Sequence, residues 1–357
     1  MPTTHQHFVP RAYLKAWETR VRNSQEPVKK FDGVYVFKGN ETKGEGITTK
    51  NVLWSQSLYT VKYSDYHYIH GKYLEVDKDF LSGIHNILDN TYRQKVLAQN
   101  ESKPIITDQD ILDNLIRLEE WDFNYADGYL APRERIINAI HNLTSQCLEK
   151  GLDEIFENDW INTRDAFIFE IENAINVGNL PYRISHSIAE EVVRFFLSMI
   201  CRNPEFDAFG IYTKVKNRIL RPVGMDEDLI TEIMHPQWLG ELYRMLYGKG
   251  GGVFNLGIAG ILSRCQMILF RRYDDASTFI TSDNPAFRHI SCVERENSNG
   301  FYFPLTPDYL LMIAKGNEGI EEIDFRYADD DLVRSFNQRI SRYKTEKVIS
   351  KQRYLPI

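Results

Sequence analysis

The chain reads as an α+β protein, and three observations predict this. β-prone, aromatic-rich runs crowd both ends. Helical periodicity fills the middle. The two textures are segregated along the chain, whereas a doubly wound sheet would alternate them. The simplest topology pairs N-terminal strands with C-terminal ones in one mixed sheet, with the centre as a large helical insertion. The expected divisions are an N-terminal β-rich part at residues 1–75, a helical body at 76–252, and a C-terminal β-rich part with a final helix at 253–357. Such pairing would also bring the two ends of the chain together.

Taken in order, residues 8–22 read as a short helix, with Ala12, Tyr13, Ala16 and Trp17 at helical spacing and Pro10 in its first turn. Gly33-Val34-Tyr35-Val36-Phe37 reads as a strand, and the glycine-rich stretch 38–46 as a loop. Residues 52–61 and 66–70 are β-prone. From Asp77 the period changes, and Phe80, Ile84, Ile87 and Leu88 share a helical face. Thr107 can cap a helix that starts at Asp108. Helices are then expected over 108–121, 131–149, 152–177, 185–202, 206–219 and 227–248. The glycine-rich segment 248–252 should end the helical body. Short strands are expected at 266–273, 278–282, 287–292, 301–305 and 310–314. A last helix at 329–342 and a strand at 346–350 complete the pattern.

With 357 residues, 43% of them hydrophobic, the chain can fill a large core, and 20 Tyr with 20 Phe argue against disorder. A net charge of -7 argues against a uniformly basic, nucleic-acid-coating surface. The charge is uneven: 101–172 holds 17 acids and 6 bases, while 334–353 holds 7 bases and 1 acid. The basic end could meet an anion or a nucleic-acid backbone, or could simply be a solvated face. Cys147, Cys201, Cys265 and Cys292 show no paired spacing, which predicts reduced thiols, a cytoplasmic home and no cysteine-held zinc. The polar start predicts no secretory leader. The apolar run 192–201 carries Arg194 and is too short for a bilayer, so no membrane association is expected.

Two polar clusters stand out as candidate sites. His5-Gln6-His7 places both imidazoles on one side of an extended segment, where they could exchange protons, bind a metal or make a capping contact. Arg11 lies close by and could hold phosphate or carboxylate, or pair with an acid. Thr281-Ser282-Asp283-Asn284-Pro285 follows an apolar strand. There Asp283 could be a base, a metal ligand or an orienter of His7, with Ser282 and Asn284 touching substrate. The same composition also favours an ordinary turn. Arg202 ends an apolar helix, either pointing into a cleft or complementing the helix dipole. Asn337 sits inside the last helix, where Asn is mildly unfavourable, near Arg339 and Arg342. His67 and His70 read as exposed strand residues. There is no phosphate-binding loop, HExxH, CxxC or dinucleotide fingerprint.

These residues resemble a bacterial family of unknown function, catalogued as domain of unknown function 4238. The resemblance rests on His7-Phe8-Val9-Pro10-Arg11 with Tyr13-Leu14, then Arg202-Asn203-Pro204, Thr281-Ser282-Asp283-Asn284-Pro285, Pro304-Leu305-Thr306-Pro307, and Asn337 with Ser341. Trp17 and Ser341 depart from the family pattern without removing a candidate site residue. The resemblance implies an accessory bacterial gene of the toxin or phage-defence kind.

The combined expectation is a phosphodiester-cleaving hydrolase of the nuclease type. His7, with His5, would exchange protons. Asp283 would orient His7 or bind metal, Arg11 and Arg202 would stabilise phosphoryl charge, and Asn337 would bond substrate. Ser282, Asn284, Arg339 and Arg342 would contact the substrate backbone. A divalent metal, a protein partner and a homo-oligomer stay open. The alternatives are a non-catalytic binding or regulatory module of a defence system, or an enzyme acting on a small nucleotide.

Overall fold

The computed structural model describes residues 5–22, 28–56, 58–59, 78–178, 181–203, 211–247, 253–289, 300–316 and 319–357. The β-prone 66–70 with His67 and His70, the segment 248–252, Pro204 and Cys292 lie outside the described residues, as does the side chain of His5. The chain divides into two compact units. The smaller takes Met1–Gln6, Gln56–Ile155 and Pro204–Val253; the larger takes His7–Ser55, Phe156–Asn203 and Phe254–Ile357.

The expected α+β character holds, but the single sheet does not: the strands form several sheets. In the larger unit, α1 (Arg11–Leu14) is followed by a 3-10 turn, Lys15–Trp17, and then by strand β1 (Thr19–Val21). The helix expected over 8–22 is therefore cut short. Pro10 lies just before α1, with ψ 140°, and not in its first turn. Thr19 and Val21 are β-branched and leave the helix to pair with Gly33 and Phe31. Strand β2 (Phe31–Lys38) also takes β3 (Glu45–Ile47). At this crossing a Cβ on Gly33 would fall 2.4 Å from the Ile47 carbonyl oxygen, so only glycine fits.

Next come α2 (Trp160–Val177), β4 (Tyr182–Arg183), α3 (His186–Arg202) and α4 (Val253–Arg264). The C-terminal strands are β5 (Cys265–Arg272), β6 (Thr281–Ser282), β7 (Phe287–His289), β8 (Gly300–Thr306), β9 (Tyr309–Lys315) and β10 (Glu322–Ala328). Helix α5 (Asp330–Tyr343) and strand β11 (Lys347–Ser350) close the unit.

One sheet of five strands runs β6-β11-β2-β1, with β3 also on β2. Here the N-terminal β2 does pair with the C-terminal β11, in antiparallel register from Lys38–Lys347 to Tyr35–Ser350. A second sheet of six strands runs β7-β8-β9-β5-β10-β4 and is mixed, because β5 and β10 are parallel. Phe37 and Val348 from the first sheet, Ile268, Phe270, Leu310 and Met312 from the second, and Val333, Phe336 and Ile340 from α5 form one buried cluster. The α5 residues recur at helical spacing, so burying that one face holds the helix against both sheets.

The smaller unit is helical over Lys78–Asn90, Asp108–Asn114, Arg133–Leu152 and Glu227–Tyr247. Thr107 caps as expected: its hydroxyl accepts from Asp110 N (3.1 Å), and the Asp110 carboxylate accepts from Thr107 N (2.8 Å). Within the expected helical body, but outside the helices expected there, lies a three-stranded antiparallel sheet of Lys103–Ile105, Val96–Asn100 and Asp122–Tyr125. Of the helix expected over 206–219, the described part is Ile211–Val215 followed by a π-type turn. No helix among the described residues is long and apolar enough to cross a membrane.

Candidate functional site

Strand β6 ends where the polar run begins, and the neighbouring chain closes over it. Thr281 and Ser282 are fully buried and pair with Ile349 and Val348 of β11. Asp283, only 5% exposed, then turns its carboxylate onto the backbone that enters β11. It accepts from Thr345 N (2.9 Å), Glu346 N (2.6 Å) and Lys347 N (2.8 Å). Asn284 N donates to the Ser282 hydroxyl (3.2 Å), and its side-chain amide donates to the Tyr343 carbonyl (3.0 Å). Asn337, fully buried on α5, accepts from Ile280 N (3.1 Å) and donates to the Thr278 (2.9 Å) and Pro356 (2.7 Å) carbonyls. Mid-helix Asn is therefore explained by three backbone partners that an apolar side chain would leave unmet.

The opening motif docks on the same strand. Tyr13, buried in α1, gives its proton to the Pro304 carbonyl (2.7 Å), so the Thr281 hydroxyl at 2.8 Å is the donor to the phenol oxygen. Trp17 Nε1 donates to the Phe279 carbonyl (3.1 Å). The two ends of the chain thus meet through Tyr13 and Trp17, which the sequence placed on a helix face and in the opening motif but gave no role at a site.

Arg202 ends α3 at 2% exposure. Its Nη1 donates to Glu157 Oε1 (2.7 Å) and its Nη2 to the His7 carbonyl (2.9 Å). Asn203 then donates to the Asn284 side-chain oxygen (3.3 Å), tying this motif to the Asp283 turn. His7 is half-buried, and Phe8 N donates to the Leu53 carbonyl (3.2 Å). Leu53 holds a left-handed φ of 55° while almost wholly buried, a conformation costly for a branched residue. Burial, and next the Arg11 guanidinium, hold the His7 imidazole below its ordinary value of 6.5; Arg202 acts the same way. A hydrogen bond to the Val52 backbone and the Glu157 carboxylate oppose them. The ring is therefore neutral at neutral pH and able to accept a proton. Arg11 is exposed at the start of α1.

The structure thus sorts the candidate residues into two clusters and an outlying pair. His7, Arg11 and Arg202 share one cluster with Glu157, which the sequence did not single out among the many acids of its region. Asp283, Ser282, Asn284 and Asn337 form the other, bonded to backbone. Arg339 donates to the Tyr302 hydroxyl (3.1 Å) and lies over the Phe336 ring, while Arg342 is exposed. Among the described residues, no group of three or more His, Cys, Asp or Glu is placed to hold a metal ion. Around His7, two guanidinium groups against one carboxylate favour an anion over a cation.

No curated protein and no solved structure matches the chain. The family model described as "Protein of unknown function (DUF4238)" matches residues 5–353, and the chain belongs to that family.

Proposed function

We propose that the His7 cluster is the working site of a phosphodiester-cleaving hydrolase. The observation that carries this reading is a neutral, half-buried imidazole flanked by guanidinium groups. His7 accepts the proton of the attacking hydroxyl or water. The exposed Arg11 meets the phosphoryl oxygens and the charge that grows on them. Arg202, clamped by Glu157 and the His7 carbonyl, positions His7. Asp283 and Asn337 act as frame, since their polar atoms bond the chain itself.

The test is cleavage of single- and double-stranded RNA and DNA, with and without EDTA, by wild type, His7→Gln and Arg11→Gln. Both variants should melt close to wild type and lose cleavage by about 100-fold or more. Wild-type rates in His7→Gln overturn the assignment. A second reading is a non-catalytic binding module of a defence system. It is favoured by the backbone saturation of Asp283 and Asn337, and it predicts nucleic-acid or protein binding without turnover.

A further inference from the structure

Helix α2 carries two buried donors that meet no acceptor among the described residues: Trp160 Nε1 and Arg164 Nη1. Trp160 is 2% exposed and Arg164 9%. Both lie on the buried face of α2 four residues apart, a spacing that puts their Cβ atoms roughly 5–6 Å from each other. The rest of the Arg164 guanidinium is held by Asp165, with Nε at 2.8 Å and Nη2 at 2.7 Å from Oδ1. That carboxylate is mostly exposed, so solvent weakens its hold on the buried charge. The surroundings are aromatic. Phe195 stacks on Trp160 with ring centroids 3.7 Å apart, and Phe303 lies at 5.9 Å.

Indole and guanidinium can only donate. A water between them would accept twice but would bring two hydrogens of its own to place and would leave the arginine charge unanswered. An anion accepts both bonds, has no hydrogen to place and offsets the arginine charge. A doubly charged oxyanion would lose far more hydration on entry than a monovalent one. We propose that Trp160 and Arg164 form an internal binding site for a monovalent inorganic anion of halide size. It shares no residue with the His7 cluster and stands whether or not the chain cleaves phosphodiesters.

Bromide is the probe. Crystals of the full chain grown or soaked in sodium bromide should show an anomalous bromine peak in contact with both nitrogens. In solution, replacing sodium gluconate by sodium bromide at equal ionic strength should raise the wild-type Tm by about 2 °C or more. Trp160→Phe, which keeps the ring and removes the N–H, and Arg164→Met should lose that rise. An equal rise in all three proteins, or an ordered water with no bromine signal between the two nitrogens, overturns the proposal.

Discussion

The Asp283–Asn337 cluster and the His7–Arg202 cluster use similar side chains in the same unit, yet they face different partners. Around Asp283 and Asn337 every recorded bond runs to backbone: three N–H donors on one carboxylate, and one donor and two carbonyls on one amide. Around His7 one bond joins two charges, Arg202 to Glu157, and a titratable ring is held off its ordinary value. Saturation by backbone builds architecture. A shifted imidazole between guanidiniums leaves a group able to change protonation, and this is the usual mark of a working site.

The comparison breaks most easily at Asp283. Asp283→Ala removes a buried carboxylate that accepts three charge-assisted bonds from backbone N–H groups, and should cost about 3–5 kcal/mol in urea unfolding. A loss below about 1 kcal/mol would remove its framing role. Asn337→Leu should cost about 2–4 kcal/mol, with calorimetry as the check, because Ile280 N and two carbonyls lose their partner. Arg202→Leu should cost about 2–3 kcal/mol by leaving Glu157 and the His7 carbonyl unmet, and Glu157→Leu in the same chain should recover part of it. Additive losses would show that the pair is not coupled.

The smallest effect is the most diagnostic. His7→Gln should change stability by less than about 1 kcal/mol at pH 7.5. Because burial lowers the folded-state value of His7, the unfolded chain takes up its proton first as pH falls through 6.5. His7 thus destabilises the fold progressively below pH 6.5 and has no such effect above it. Wild type should lose more stability than His7→Gln between pH 7 and pH 5, measured by paired melts. Parallel curves would show that the imidazole is not shifted.

Legibility in the sequence followed the range of the interactions. Thr107 and Asp110 lie three residues apart, and their cap was readable. Val333, Phe336 and Ile340 announced the buried face of α5. Strand β10 alternates Ile323, Phe325 and Tyr327 with Glu322, Asp324 and Arg326, and these charges mask it as a polar segment. Helix α4 was hidden by Gly257 and Gly260, which weaken a helical pattern; Gly257 lies against Leu197, where a Cβ would approach to 3.3 Å. The strands near 96–125 are too short to show a period beside long helices. For the site, the residue types were visible and their partners were not: nothing local distinguishes Glu157 from its acidic neighbours, or Tyr13 from a core aromatic.

Sequence alone determined the α+β class, the main helices, the C-terminal strand series and the family. These follow from periodicity, caps and turn chemistry, which act over a few residues. Tertiary structure alone decided the division into several sheets, the fate of Asp283 against backbone 62–64 residues away, and the grip of Arg202 on Glu157 and His7. Local pattern sets which side chains are buried. It does not set which distant donor reaches a buried acceptor, because that depends on how the folded elements pack.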